Sequence, residues 1–265
     1  MSNKSRALLF FRKLYLIMLV IIIIAYFGMR VLYEIHGLGD LTLLQWNFLT
    51  ISICITFLTF FNYIISIYYE QKRWQHYTLL LLIAMIFGSL GDFLLGGFVS
   101  FPIEPLILGT VAFAIGQVFY LLAMRNLSPL LISTSSSTQD TPSKNRILVV
   151  RNFIIWLGFV IFGIALFILT VFNPSELEIS IGALCYGLLF LSVIGFALTK
   201  FFDDYPILFR IALFIGFLLF FISDYVLIIN RLTIPILYAG LIITVTYIIG
   251  QVLIHLTPLL VGKSK

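Results

Sequence analysis

Apolar residues run along this chain in long blocks, separated by short polar gaps. Blocks of this length are too long for buried strands and too apolar all round for helices that cover a water-soluble core. Eight of them could cross a hydrocarbon layer of about 30 Å, namely 14–33, 43–69, 77–99, 105–124, 147–172, 179–200, 207–230 and 236–260. The pattern predicts an all-α polytopic membrane protein with eight transmembrane helices in a single integral membrane domain, 1–265. The first block, from Leu14, follows Lys4, Arg6, Arg12 and Lys13, as the apolar region of a signal peptide would. It exceeds the usual length of such a region and has no small-residue cleavage site, so it reads as an uncleaved first span.

Composition agrees with this. The chain is 62% hydrophobic and 10% charged, which leaves too little polar surface for a soluble domain of its length. Its net charge of +5 needs no nucleic acid to explain it, because the basic residues sort by side. Lys4, Arg6, Arg12 and Lys13 precede the first span, and Lys72 and Arg73 follow the second. Arg125, Lys144, Arg146 and Arg151 lie between the fourth and fifth, Lys200 and Arg210 between the sixth and seventh, and Lys263 and Lys265 at the end. Only Arg30 and Arg231 of the sixteen fall on the opposite side, with Glu34, Asp40, Glu104, Glu176 and Glu178. Basic loops stay in the cytoplasm, so both termini are expected there. One missed or invented span would scramble this asymmetry.

The Ser/Thr-rich stretch 132–145, ISTSSSTQDTPSKN, reads as a flexible linker between the fourth and fifth spans. With a linker at 125–146 the chain divides into possible half-repeats, 14–124 and 147–260. Each half carries an aspartate on its third span and the tetrapeptide IGQV on its fourth. Asp92 is followed by Gln117 and Asp224 by Gln251. Four helices per half give both halves the same orientation, as in a parallel repeat about the membrane normal.

Asp92, in FGSLGDFLLGG, and Asp224, in LLFFISDYVLIIN, are the chemically conspicuous residues. A charged side chain at the bilayer centre costs about 2.5–3.5 kcal/mol on insertion scales, so an acid retained inside a span marks a functional site. Both are expected nearer the outer face, with Gln117, Tyr120, Tyr247 and Gln251 near mid-depth or slightly inward. All of these groups would converge if the third, fourth, seventh and eighth spans lined one cavity. Gly88, Gly91, Gly96 and Gly97 around Asp92 would allow close helix approach or leave room for a ligand. Two carboxyls brought together out of water can share one proton, one serving as acid and the other as base. The alternative is that each acid ties a polar knot that fixes helix packing.

Other residues read more plainly. Ser223 is expected to bond its own helix backbone, and His255 to pack between helices, with a proton-relay role as the lesser reading. Most Phe and Tyr are expected at the lipid or the interface. Cys54 and Cys185 read as helix-packing residues. His36, His76 and His255 have no metal-ligand spacing, and no serine stands in a G-x-S-x-G context.

FGSLGDFLL (87–95), AFAIGQVFYLLAM (112–124), FLLFFISDYVLIINR (217–231) and TYIIGQVLI (246–254), in that order, resemble the lysoplasmalogenase family, the YhhN-like membrane proteins. The matching elements are Gly91-Asp92, Phe119-Tyr120, Ser223-Asp224 with Asn230-Arg231, and Tyr247 with Gln251. Gln117 stands where that family usually has a His, three residues before the tyrosine, and its Lys-Pro step in the second helix is absent. The resemblance implies hydrolysis of the vinyl-ether bond of a lysoplasmalogen to a fatty aldehyde and a glycerophospho-headgroup. Asp92 and Asp224 would be catalytic, while Gln117, Tyr120, Tyr247, Gln251 and Ser223 would bind a lysophospholipid drawn from the lipid bilayer. It implies no metal and no organic cofactor. The two departures, together with the proton-relay potential of paired acids, leave two alternatives open. One is a proton-coupled transporter or channel, the other a non-catalytic lipid-binding protein.

Overall fold

The computed structural model describes residues 3–37, 41–68, 72–127, 142–203 and 205–260. Eight long helices fill them: α1 (Asn3–His36), α2 (Leu41–Tyr68), α3 (Lys72–Leu95), α4 (Pro105–Leu127), α5 (Pro142–Thr170), α6 (Leu177–Thr199), α7 (Ile207–Leu232) and α8 (Ala239–Leu260). Short 3-10 turns at Pro174–Glu176 and Lys200–Phe202 flank α6. All eight are long and apolar enough to cross a membrane. The shortest, α8, has 22 residues, and at 1.5 Å per residue it spans about 33 Å. Lipid offers the backbone no hydrogen-bond partner, so a chain this apolar satisfies its amides within helices.

Helix ends explain where spans differ from those expected. The third span, expected to reach residue 99, stops at Leu95. Gly96 N–H bonds the Asp92 carbonyl at 2.9 Å, Gly97 N–H bonds the Leu94 carbonyl at 3.3 Å, and Gly97 turns to φ +66°. That left-handed residue closes the helix as a C-terminal glycine does. The expected linker 125–146 is shorter than its composition suggests. α4 continues through Leu127 and α5 already starts at Pro142, a residue suited to the first helical turn. Residues 128–141 lie outside the described residues.

Six helices form a closed circuit of neighbours, α2–α3–α4–α6–α7–α8 and back to α2. α1 lies outside it against α2 and α8, and α5 lies outside it against α6. Only 11% of the apolar stretch of α1 and 6% of that of α5 is buried, against 39–44% in the other six. Ile24, Ile161, Phe162 and Ile168 accordingly face outward, as a lipid-contacting surface requires.

The tightest crossings join α3 to α4 and α7 to α8. A Cβ on Gly116 would lie 3.0 Å from the Ala84 carbonyl oxygen, and one on Gly250 would lie 2.7 Å from that of Gly216. Gly116 and Gly250 are the glycines of the two IGQV segments. Ala84 and Gly216 each stand eight residues before an intramembrane aspartate. Both halves therefore cross their third and fourth helices at a small residue, which brings the backbones close enough for dispersion forces to hold them.

Most Phe and Tyr lie outside the buried core, as expected, but six tyrosines do not. Tyr26, Tyr77, Tyr120, Tyr186, Tyr205 and Tyr247 are all inside the bundle. Their hydroxyls find internal partners there, such as Thr257 Oγ1 at 2.7 Å for Tyr77 and the Leu127 carbonyl for Tyr205. Both cysteines are free thiols. Cys54 is half-buried, but Cys185 is exposed on α6 rather than enclosed between helices as expected.

Candidate active site

Asp92 stands three residues before the end of α3, and Asp224 eight before the end of α7. Both helices end on the same side of the bundle, where α2 and α8 begin. Asp92 is buried at 5% exposure, and Asp224 is partly buried. Each carboxyl is held by a tyrosine from another helix. Tyr247 of α8 donates to Asp92 Oδ2 at 2.7 Å, and Tyr186 of α6 donates to Asp224 Oδ2. Ser52 of α2 lies beside Asp92 as well. A carboxyl removed from water needs such donors, since an unsatisfied one would be costly to bury.

The two acids line one cavity of about 270 Å³, with Tyr186, Tyr247 and Ser223 also in its wall. The cavity opens among the ends of α1, α2, α3 and α8, where Arg30, Leu41, Gly96 and Gly240 form its rim. Aromatic rings pack around Tyr247 in its wall. Phe220 meets Phe190 at 4.8 Å and Tyr247 at 5.2 Å, both edge-to-face. Phe48 lies 5.2 Å from Tyr247 on the other flank. These rings fix the Tyr247 ring, and through its hydroxyl they fix the Asp92 carboxyl. A second, smaller space lies behind Tyr186 and Asp224, lined by Gly163, Leu166, Ala183, Leu191 and Phe221. Tyr186 and Asp224 border both spaces.

The expected convergence is thus partial. Tyr247 and Ser223 join the aspartates, whereas Gln117, Tyr120 and Gln251 do not line the cavity. Tyr120 and Gln251 belong to a second polar group farther along the bundle. Tyr120 donates to Gln251 Oε1 at 3.1 Å, and its hydroxyl oxygen lies 2.9 Å from His255 Nε2. Thr59 Oγ1 lies 2.9 Å from His255 Nδ1, and Asn62 donates to the His255 carbonyl at 2.9 Å. His255 is fully buried and tied on both ring nitrogens, which fits the packing role expected of it. The separation has a simple cause. Gln251 follows Tyr247 by one helical turn, so its side chain meets Tyr120 of α4 at a deeper level. Gln117 is buried beside Tyr186, yet neither its Oε1 nor its Nε2 has a hydrogen-bond partner.

Ser223 requires a correction. It does not bond its own helix but donates to the Ile243 carbonyl of α8 at 3.1 Å. The close α7–α8 crossing brings that carbonyl within reach of a side chain that would otherwise turn back on its own helix. Sequence reasoning missed Tyr186 and Arg30. Tyr186 is the single tyrosine of α6, placed mid-span and away from both interfaces. Arg30 is one of two basic residues on the cavity side, and it falls within a predicted span. Position within a span was the available signal for both.

Chemically, the site offers two carboxyls in one apolar enclosure, each oriented by a phenol and each reachable from the cavity. Such a pair can deliver a proton to one side of a substrate while a base or anion acts on the other. Among the described residues no three His, Cys, Asp or Glu side chains come together as metal ligands.

Comparison with known proteins gives one match. The model of the YhhN family covers residues 44–257, which includes both aspartates, both tyrosines that hold them and both IGQV segments. No curated protein sequence and no solved structure matches the chain.

Proposed function

The chain belongs to the YhhN family, and from that premise we propose that it is a membrane-embedded lysophospholipid hydrolase. Its reaction is cleavage of the vinyl-ether bond of lysoplasmalogens by general acid–base catalysis. The observation that carries this reading is the shared cavity into which Asp92 and Asp224 both open. A neutral carboxyl donates a proton to the β-carbon of the vinyl ether, leaving an oxocarbenium ion at the α-carbon. The second carboxyl, ionised, stabilises that cation and takes a proton from the water that adds to it. The hemiacetal then breaks its bond to the glycerol oxygen, which leaves as an alcohol. The sum is one water consumed, with one fatty aldehyde and one glycerophospho-headgroup released. No covalent enzyme intermediate is required.

The surrounding shape supports the same reading. The main cavity, at about 270 Å³, falls just below the roughly 300–1,000 Å³ typical of small-molecule sites. It suits a headgroup and its first bonds rather than a whole lipid. The apolar space behind Tyr186 and Asp224 suits the start of the alkenyl chain. The bond to be cleaved would then lie between the two, beside both acids. Since most basic residues sit at the other end of the bundle, the cavity end faces away from the cytoplasm and takes its substrate from the outer leaflet.

The test is aldehyde release from a lysoplasmalogen by protein purified in detergent, compared with Asp92→Asn and Asp224→Asn. Loss of release in both folded variants supports the proposal. A folded wild-type protein that releases no aldehyde from any vinyl-ether lysolipid overturns it.

A further inference from the structure

Arg30 is placed unlike an ordinary surface cation. Its side chain is 13% exposed and lines the cavity that ends at the two aspartates. Nη2 donates to Glu34 Oε1 at 2.5 Å, while Nε is buried without a hydrogen-bond partner. An i,i+4 ion pair on a helix is commonplace and contributes little. A buried guanidinium donor left empty carries the cost of its desolvation; Arg210 Nε shares that state but lines no part of this cavity. Arg231, the other basic residue at this end, makes a useful contrast. It is 46% exposed and shared between Glu104 and Glu176 at the surface.

The Arg30–Glu34 pair lies directly on the start of α8. A Cβ on Gly240 would overlap both Arg30 Nη2 and Glu34 Oε1, so the glycine leaves the space they occupy. Seven residues separate Gly240 from Tyr247, and at 1.5 Å per residue that is about 10 Å along α8. In a lysoplasmalogen six bonds join the phosphorus to the first vinyl carbon, a reach of roughly 7–8 Å at ordinary bond lengths. Adding the gap from a guanidinium to a phosphorus atom brings the total to roughly the distance from the Arg30 head to the level of Tyr247 and Asp92.

Resting on the hydrolase reading above, we propose that Arg30 anchors the phosphate of the substrate headgroup and that Glu34 receives its ammonium. Arg30 presents a planar fork suited to phosphate oxygens, and its side chain lines the cavity. Taking Arg30 from Glu34 would strand a partly buried carboxylate. A zwitterionic headgroup avoids this, since it brings a cation of its own beside the phosphate it offers to Arg30. The site therefore favours ethanolamine or choline lysophospholipids over anionic ones. Both residues precede the stretch matched by the family, 44–257, so headgroup choice resides in a part of this chain outside that pattern.

The test is binding, not turnover. Full-length protein is titrated with a saturated 1-O-alkyl lysophosphoethanolamine, its phosphoglycerol counterpart, 1-O-alkylglycerol and inorganic phosphate. The proteins are wild type, Arg30→Gln, Arg30→Lys, Glu34→Gln and Asp92→Asn. Arg30→Gln should weaken both phospholipids about tenfold to a hundredfold, the range for a charge-assisted bond to phosphate, and leave alkylglycerol unchanged. Arg30→Lys should recover part of the loss. Glu34→Gln should reduce the preference for phosphoethanolamine over phosphoglycerol. The proposal fails if Arg30→Gln binds both phospholipids as wild type does, or loses alkylglycerol equally. It also fails if inorganic phosphate binds as tightly as the lipids, which would assign the site to free phosphate. The two readings stay separable: Asp92→Asn should keep the Arg30-dependent binding, and a wild type that shows that binding yet releases no aldehyde from the vinyl-ether lipid would sink the hydrolase reading alone.

Discussion

Gly250→Ala probes how far the site depends on the α7–α8 crossing. The added methyl would lie 2.7 Å from the Gly216 carbonyl oxygen and 2.9 Å from the Phe220 amide nitrogen. Both are backbone atoms of a helix, so no rotamer change relieves the overlap. Even a favourable C–H···O approach needs about 3.3 Å, so the helices must separate by roughly half an ångström or more. A gap of that size forfeits about a quarter or more of the dispersion attraction between atoms facing each other across the crossing. Overpacking of this kind costs about 1–3 kcal/mol. Gly158→Ala is the control, because a Cβ there meets nothing within 4 Å and α5 faces outward. Measured by thermal unfolding in one detergent, Gly250→Ala should unfold about 2–12 °C below Gly158→Ala, at roughly 2–4 °C per kcal/mol for a chain of this size. Activity should fall with it, because Tyr247 stands one turn from Gly250 on the same helix. If Gly250→Ala unfolds at or above the control, the crossing is looser than the backbone distances imply and the reasoning is wrong.

Two further substitutions separate chemistry from packing. Tyr247→Phe keeps the ring against Phe48 and Phe220 but removes the donor to buried Asp92, so aldehyde release should drop about tenfold to a hundredfold, as for loss of one bond to a charged group, and stability by about 1–3 kcal/mol as the carboxyl loses its donor. An unchanged rate would mean that Tyr247 does not set the Asp92 carboxyl. Tyr120→Phe removes the hydroxyl shared with Gln251 and His255, which lie outside the cavity, so it should lower stability by about 1–2 kcal/mol and leave the KM for lysolipid unaltered; a large rise in KM would place that group in substrate binding.

Much of this fold was legible because lipid simplifies the code. A backbone that must satisfy itself leaves helices as the choice for every apolar block, and the sorting of Lys and Arg then checks their number. The aspartates were legible for the same reason, as charges retained where charge is costly. Partners were not. Whether Tyr120 or Tyr186 faces an acid depends on helix rotation and on which helices are neighbours, and apolar all-round helices carry almost no amphipathic signal to set either. The IGQV echo shows the limit well. Its glutamines drew attention as matched polar groups, yet it is the glycines that occupy matched positions, each against a small residue eight before an aspartate. Gln251 accepts from Tyr120, whereas Gln117 lies beside Tyr186 without a close hydrogen bond.

That mismatch bears on mechanism. A common crossing delivers Asp92 and Asp224 to one cavity from helices related in the same way. If the rest were equally matched, the two carboxyls would be chemically alike, and neither would be marked as acid or base. The partners break the likeness. Asp92 is buried and takes its tyrosine from α8, whereas Asp224 is more open, takes its tyrosine from α6 and borders the second apolar space. General acid–base catalysis needs this inequivalence, since one carboxyl must hold a proton while the other lacks one. The two Asp→Asn variants should therefore differ. An amide keeps the shape but neither donates nor accepts a proton at a catalytic rate, so each variant reports the loss of a different role. Adding a small external base such as formate, which can take the proton from the attacking water, should partly restore aldehyde release only in the variant that has lost the group activating water. Equal rescue of both variants, or of neither, would mean that the surroundings of the two acids do not divide their roles.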